Sequence, residues 1–174
     1  GTNMVALLEA ARAGRLSADV RVVVSNRADA PGLDRAASMG VPTAVLSHRD
    51  FPDRESFDTA LADLVEARGA RIVVLAGFMR VLTPAFLRRF PQGVVNIHPA
   101  LLPSFPGIHA QRQALDDGVK FSGCTVHLVD EGTDTGPILA QAVVPVRDDD
   151  TEETLSARIL ETENRLYPEA LEAL

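Results

Sequence analysis

The sequence is poor in cysteine and has no long apolar run. Its single cysteine, Cys124, excludes an intrachain disulfide framework and a cysteine-rich zinc site, and it is consistent with a reducing cytoplasm. No apolar run approaches the roughly 18 residues of a membrane-spanning helix, and no signal peptide is visible. We therefore expect a cytoplasmic protein without a membrane partner.

Positive charge is scarce as well. Lysine and arginine number 17 against 24 aspartates and glutamates, which gives a formal net charge of -7. The average field of such a chain repels nucleic acid and anionic membranes, so neither is expected as a partner. Hydrophobic residues at 46% and charged residues at 24% are typical of a globular fold. At 174 residues, the chain is expected to form one domain, residues 1–174.

Helical patterns and short β-branched runs alternate along the chain. Gly14 and Gly40 follow helical patterns where a residue with positive φ is favoured, and Pro84 follows Thr83 at a helix start. The alternation predicts an α/β fold with a three-layer, Rossmann-like, mostly parallel sheet and helices on both faces. The predicted helices are residues 3–13, 31–40, 54–68, 83–90, 109–117 and 151–174, and the predicted strands are residues 20–24, 42–46, 71–78, 94–98, 125–129 and 138–146.

Two polar side chains end the predicted strand 94–98. Asn96 and His98 are two residues apart, so they leave the same face of the strand. Ligands of open α/β sheets bind beyond the carboxyl ends of the strands, which is where this face lies. An amide and an imidazole there can both donate to an oxygen that gains charge, as acyl transfer requires. By themselves, the two residues are equally well explained as polar groups that satisfy the local backbone.

The loop that follows is rich in proline. Pro99, Pro103 and Pro106 fix φ at three points, so the loop is expected to be rigid and to hold a neighbouring site in place. Rigid loops also occur for purely structural reasons. Further along, Asp134 lies between two glycines and could supply a carboxylate to the imidazole. Its local sequence is also typical of a turn residue.

Other segments give weaker signals. Gly1, Thr2 and Asn3 precede a helix, so their backbone N–H groups could bind a phosphate, although Thr or Asn before a helix is usually only a cap. The backbone of residues 77–82 could line a pocket for a flat heterocycle, or the segment could be a hydrophobic loop cluster. The remaining histidines show no metal-ligand spacing with one another or with Cys124, so no metal site is expected.

Three segments taken together are more specific. NIHPALLPSFPG, AGFMRVL and DEGTDTGPIL, which start at Asn96, Ala76 and Asp130, resemble the glycinamide ribonucleotide formyltransferase family of purine biosynthesis. The resemblance runs in order from Gly1 to the segment ENRLYPEAL, which starts at Glu163, so it covers essentially the whole chain. It implies the formyltransferase fold, from which the first strand is expected to be missing here.

The resemblance also implies roles for individual residues. Asn96, His98 and Asp134 match the catalytic trio of the family. Two further sets match substrate contacts: the ribonucleotide is implied to contact Gly1, Thr2, Asn3 and Glu163, and the co-substrate 10-formyltetrahydrofolate is implied to contact Arg54, Met79, Arg80, Val81, Leu82 and Asn96.

The implied reaction is direct attack of the ribonucleotide amine on the formyl carbon, with no metal and no covalent intermediate. The implied partners are these two small molecules, and the chain would be a monomer or a homodimer. A methionyl-tRNA formyltransferase would need an extra C-terminal domain and a basic surface, and neither is expected for this acidic chain. A formyltetrahydrofolate hydrolase that releases formate, and an inactive module that binds folate or nucleotide, remain as alternatives.

Overall fold

The chain forms two compact units. The computed structural model describes residues 1–174, and its units are Gly1–Val94 and Val95–Leu174. In the first unit, β1 and β2 pair in parallel. Its elements are α1 (Thr2–Arg12), β1 (Val23–Ser25), α2 (Pro31–Ser38), β2 (Thr43–Val45), a 3₁₀ turn (His48–Asp50), α3 (Arg54–Ala67), β3 (Val73–Val74) and α4 (Pro84–Arg89).

The second unit is built on antiparallel strands. β5 pairs with both β4 and β6, and both pairings are antiparallel. The predicted α/β class is confirmed, whereas the pairing in this unit differs from the expected mostly parallel sheet. Residues 129–137 join β5 to β6 without a helix, and a parallel crossover needs a dozen residues or more. The elements are β4 (Val94–His98), α5 (Ala110–Asp117), β5 (Phe121–Leu128), β6 (Ile138–Pro145) and α6 (Glu152–Glu172).

Side-chain caps begin helices α4 and α6. Thr83 caps α4, since its side-chain oxygen accepts from the Phe86 N–H at 3.3 Å, and Pro84 is the first helical residue. Thr151 and Thr154 form a reciprocal capping box at the start of α6, with N···O distances of 3.2 and 2.9 Å. Local sequence is therefore sufficient to set both helix starts.

Two strands, β3 and β5, differ most in length from the sequence prediction. β5 begins at Phe121 rather than at residue 125, because Gly123 lets the backbone of β6 approach closely. A Cβ atom at Gly123 would collide with the Ala142 carbonyl oxygen, so the close pairing of β5 with β6 requires glycine here. Because glycine is not typical of a strand interior, the same residue kept the start of β5 from being recognised in the sequence. β3 is only Val73–Val74 instead of residues 71–78, and Gly77, with a φ of +70°, turns the chain after it.

The long helix α6 is anchored to the strands of the second unit. Leu155, Ile159 and Tyr167 are fully buried along it. The Tyr167 hydroxyl donates to the Val95 carbonyl oxygen at 3.1 Å, so a buried hydrogen bond ties α6 to β4. This bond fixes the strand that carries Asn96 and His98. No helix of the chain is both long enough and apolar enough to span a bilayer.

The buried thiol of Cys124 predicts a loss of stability at alkaline pH. Burial, with a smaller contribution from Glu163, raises the pKa of Cys124 from 9.0 to about 12. The unfolded chain releases this proton above about pH 9 while the folded chain keeps it, so the free energy of unfolding falls as pH rises through that window. Urea unfolding at neutral pH and at about pH 10 should show a larger loss for the wild type than for Cys124→Ala; equal losses would contradict the assignment.

Candidate active site

β4 presents the amide and the imidazole on one face. Asn96 is half-buried and His98 is 5% exposed, while Val95 and Ile97 alternate with them and are buried. In the antiparallel ladder, Asn96 lies opposite His127 and His98 lies opposite Thr125. The strand therefore holds the predicted pair on a rigid element, at its carboxyl end.

Asp134 reaches the imidazole of His98. Its Oδ2 lies 3.3 Å from His98 Nδ1, and its side chain is 12% exposed. Asp134 has a φ of +55°, which Asp tolerates better than most residues, so the turn itself directs the carboxylate inward. The two interpretations of Asp134, as a turn residue and as a partner of the imidazole, are thus compatible, because the turn brings the carboxylate to the ring.

Both ring nitrogens of His98 face hydrogen-bond acceptors. Nδ1 faces the Asp134 carboxylate, and Nε2 lies 2.8 Å from the Phe105 carbonyl oxygen. A carbonyl oxygen and a carboxylate cannot donate, so a doubly protonated ring satisfies both contacts. The proline-rich loop thus contacts the histidine directly, in addition to stiffening the chain behind it.

The loop also holds the carboxylate. The Gly107 N–H donates to Asp134 Oδ2 at 2.8 Å, in an arrangement that requires Gly107 to adopt a φ of +82°. Deeper in the loop, Thr125 Oγ1 donates to the Ala100 carbonyl oxygen at 2.7 Å and accepts from the Leu102 N–H at 3.1 Å. The loop is therefore fastened to β5 as well as to His98 and Asp134.

His127 also joins this cluster, although the sequence offered no reason to place it there. It is buried, its Nε2 lies 3.4 Å from Asn96 Nδ2 and 3.6 Å from Asp134 Oδ1, and its Nδ1 lies 3.1 Å from the Leu128 carbonyl oxygen. If Nδ1 carries the proton, Nε2 accepts from the Asn96 amide and orients it. Only the strand register, which places His127 opposite Asn96, could have identified it.

The predicted phosphate contacts lie at the start of α1. Gly1 is the N-cap, and Thr2 and Asn3 are the first two helical residues. No side chain caps this end, and its first turn contains no acidic residue. Backbone N–H groups at the start of a helix and the positive end of the helix dipole suit an anion.

The predicted folate contacts lie on α3 and on the segment between β3 and α4. Arg54 is the first residue of α3, and the Arg80 guanidinium lies 5.3 Å from the centre of the Phe57 ring on the same helix. Met79 is 80% exposed and Val81 is also exposed, whereas Leu82 is only 4% exposed. A folate contact at Leu82 would therefore use its main chain rather than its side chain.

The remaining predicted residue, Glu163, is buried on α6. It lies close enough to Cys124 and Tyr167 to raise the pKa of both groups, after burial as the larger cause. No group of three or more His, Cys, Asp and Glu side chains is arranged to hold a metal ion. Of the predicted site residues, the structure brings Asn96, His98 and Asp134 together in one cluster.

Relatives of known name are similar over most of this chain. The chain is 48% identical over 176 residues to the trifunctional purine biosynthetic protein adenosine-3 of Drosophila melanogaster, and it covers 13% of that protein. It spans between 13% and 17% of the length of other trifunctional relatives, including the human protein at 44% identity. It is also 42% identical to the phosphoribosylglycinamide formyltransferase of Escherichia coli, over 97% of this chain and 79% of that one.

Solved structures agree closely with the fold. Glycinamide ribonucleotide transformylase 1 of Symbiobacterium toebii superposes with a TM-score of 0.96 at 51% identity, over 98% of this chain and 81% of that chain. Phosphoribosylglycinamide formyltransferase of Bacillus halodurans gives 0.96 at 39% identity, over 99% and 89% of the two chains. The formyl transferase family pattern matches residues 1–171. On this evidence, the chain belongs to the formyl transferase family.

Proposed function

We propose that this chain transfers the formyl group of 10-formyltetrahydrofolate to the primary amine of glycinamide ribonucleotide, a step of purine biosynthesis. The observation that carries the proposal is the cluster of Asn96, His98 and Asp134 in a chain of this family. The names of the relatives from Escherichia coli and Symbiobacterium toebii support the choice of substrate. A cytoplasmic location is part of the proposal, and the single free thiol of Cys124 is consistent with it.

In the proposed reaction, the amine attacks the formyl carbon and the carbonyl oxygen gains charge. The Asn96 amide and the His98 Nε2–H are the donors that would stabilise this oxygen. In the structure, Nε2 is paired with the Phe105 carbonyl oxygen, so the substrate oxygen must share or replace that acceptor. A neutral amine is already a competent nucleophile, and proximity supplies much of the rate.

Asp134 completes the proton transfers of the proposed reaction. Collapse of the tetrahedral intermediate breaks the bond between the formyl carbon and the folate nitrogen. The attacking nitrogen loses a proton and the leaving nitrogen gains one, so a group that can relay protons is needed. The Asp134 carboxylate, 3.3 Å from His98 Nδ1, stabilises the protonated ring and assists this relay.

The same proposal assigns the substrate contacts. Backbone N–H groups of Gly1, Thr2 and Asn3 bind the phosphate of the ribonucleotide, with Glu163 as a further contact. Arg54 and the segment Met79, Arg80, Val81 and Leu82 contact the folate, as does Asn96. Asp58 supports that segment, because its buried Oδ2 accepts from the Thr83 N–H at 2.7 Å.

A negative charge at the start of α1 should weaken binding of the ribonucleotide. Thr2→Asp places a carboxylate beside the proposed phosphate position, so we expect KM for the ribonucleotide to rise about tenfold and KM for the folate to stay constant. Steady-state kinetics with each substrate varied in turn measures both values. Ala18→Asp adds the same charge at an exposed position beyond the helix and serves as the control. An unchanged KM for the ribonucleotide in Thr2→Asp would contradict the phosphate assignment.

One assay tests the proposed function directly. The protein is mixed with 10-formyltetrahydrofolate, with and without glycinamide ribonucleotide, while folate absorbance and free formate are followed. Turnover that depends on the ribonucleotide supports the transferase. Formate release without the ribonucleotide would instead identify a hydrolase, and the absence of any turnover would favour a module that only binds.

A further inference from the structure

A four-residue part of the proline-rich loop, residues 105–108, contacts the His98–Asp134 pair. The Phe105 carbonyl oxygen lies 2.8 Å from His98 Nε2, and the Gly107 N–H donates to Asp134 Oδ2 at 2.8 Å. One short segment thus supplies a hydrogen bond to each member of the pair. A shift of this segment would disturb both residues at once.

A single side chain holds this segment from the other side. Gln113 Nε2 donates to the Pro106 carbonyl oxygen at 3.1 Å and to the Ile108 carbonyl oxygen at 2.9 Å. These carbonyl groups flank Gly107, so both N–H bonds of the amide are used on the residues next to the one that binds Asp134. The contacts alternate along the segment, with residues 105 and 107 facing the pair and residues 106 and 108 facing Gln113.

Gln113 can hold the segment still because its own helix is fixed. It lies on α5, where Ala110 and Ala114 are buried on one face, one turn apart. The Gln113 backbone N–H is bonded to the His109 carbonyl oxygen at 3.0 Å, which fixes the base of the side chain. Ile108, by contrast, is 66% exposed, so packing does little to hold that end of the segment.

We propose that Gln113 is a positioning residue for the reaction: through Pro106 and Ile108, it holds the Gly107 N–H against Asp134 and the Phe105 carbonyl oxygen against His98. This inference rests on the proposed function, because it takes His98 and Asp134 as the reacting pair. Gln113 touches neither substrate nor reacting atoms. Its loss should therefore lower kcat through misplacement of Asp134 and leave KM for both substrates unchanged.

Two substitutions remove the donors in different ways. Gln113→Met keeps a similar shape without any donor, and Gln113→Glu places a carboxylate against two carbonyl oxygens. We expect kcat to fall about tenfold in the methionine variant and further in the glutamate variant, since each 1.36 kcal/mol of lost positioning is tenfold in rate. Gln111 lies on the same helix and makes no side-chain hydrogen bond, so Gln111→Met and Gln111→Glu are matched controls expected to keep wild-type kcat.

Hydrogen exchange of the Gly107 amide gives a second readout, independent of activity. Loss of the Gln113 contacts should speed exchange of this amide about tenfold, whereas the Gln111 variants should leave it unchanged. Unchanged Gly107 exchange in both Gln113 variants would overturn the proposal, and so would faster exchange with a wild-type kcat. If the wild type itself transferred no formyl group, the proposed function would fail, and Gly107 exchange would still decide whether Gln113 holds the segment.

Discussion

Replacing His98 by alanine is expected to lower kcat about 100- to 1,000-fold, the usual cost of losing one donor to a developing oxyanion. Alanine removes the Nε2–H that would reach the formyl oxygen and leaves the Asp134 carboxylate without its partner ring. It also leaves the Phe105 carbonyl oxygen without the Nε2–H donor that it faces. Purified His98→Ala protein, assayed for formyl transfer at saturating concentrations of both substrates, measures the loss.

A second histidine provides the control for that experiment. His109 is exposed and has a φ of +56°, a conformation that asparagine tolerates, so His109→Asn should keep its fold and most of its activity. Thermal unfolding of both variants separates catalytic loss from misfolding. Near wild-type turnover by a folded His98→Ala protein would rule out the proposed catalytic trio.

Replacing Asp134 by asparagine is expected to lower kcat about 100- to 10,000-fold, the range that general acid–base catalysis covers. Asparagine keeps the shape and can still accept from the Gly107 N–H, but it carries no charge. The His98 ring then lacks its anionic partner, and the relay to the leaving nitrogen is lost. Because asparagine also tolerates positive φ, the backbone of the turn should be preserved.

A control variant separates the loss of the Asp134 carboxylate from the loss of any negative charge in this loop. Glu131 is exposed in the same loop, so Glu131→Gln removes one carboxylate without touching His98. We expect this variant to retain wild-type kcat. If Asp134→Asn and Glu131→Gln had equal turnover, Asp134 would have only a structural role in the turn.

The sequence predicted the helices better than the strand pairing, because helix signals lie close together in the sequence. Thr83 and Thr151 cap their helices through neighbours three residues away, so their signals lie within one turn of sequence. The start of β5 depends instead on Gly123, whose importance comes from the approach of Ala142 on another strand. No local pattern encodes that approach.

The residues of the candidate site also fall into those that the sequence identifies and those that depend on contacts between distant segments. Asn96 and His98 could be placed on one face from strand alternation alone, and Asp134 could be named as a partner through the ordered resemblance of three segments. His127 and Gln113 could not be predicted. The first acts through the register of β4 with β5, and the second through a contact between α5 and the loop.

By itself, the sequence determined the α/β class and the helix starts, because these depend on periodicity and capping. It also indicated Asn96, His98 and Asp134 as candidates, through the resemblance of three segments to a known family. The tertiary structure alone decided the antiparallel pairing of β4, β5 and β6, the orientation of both nitrogens of His98 toward acceptors, and the hold of Gln113 on residues 106 and 108. Apart from the contact of His98 Nδ1 with the Asp134 carboxylate, hydrogen bonds to main-chain carbonyl groups carry these features. Every residue has such a carbonyl group, so no side-chain pattern reveals which one a folded chain brings into contact.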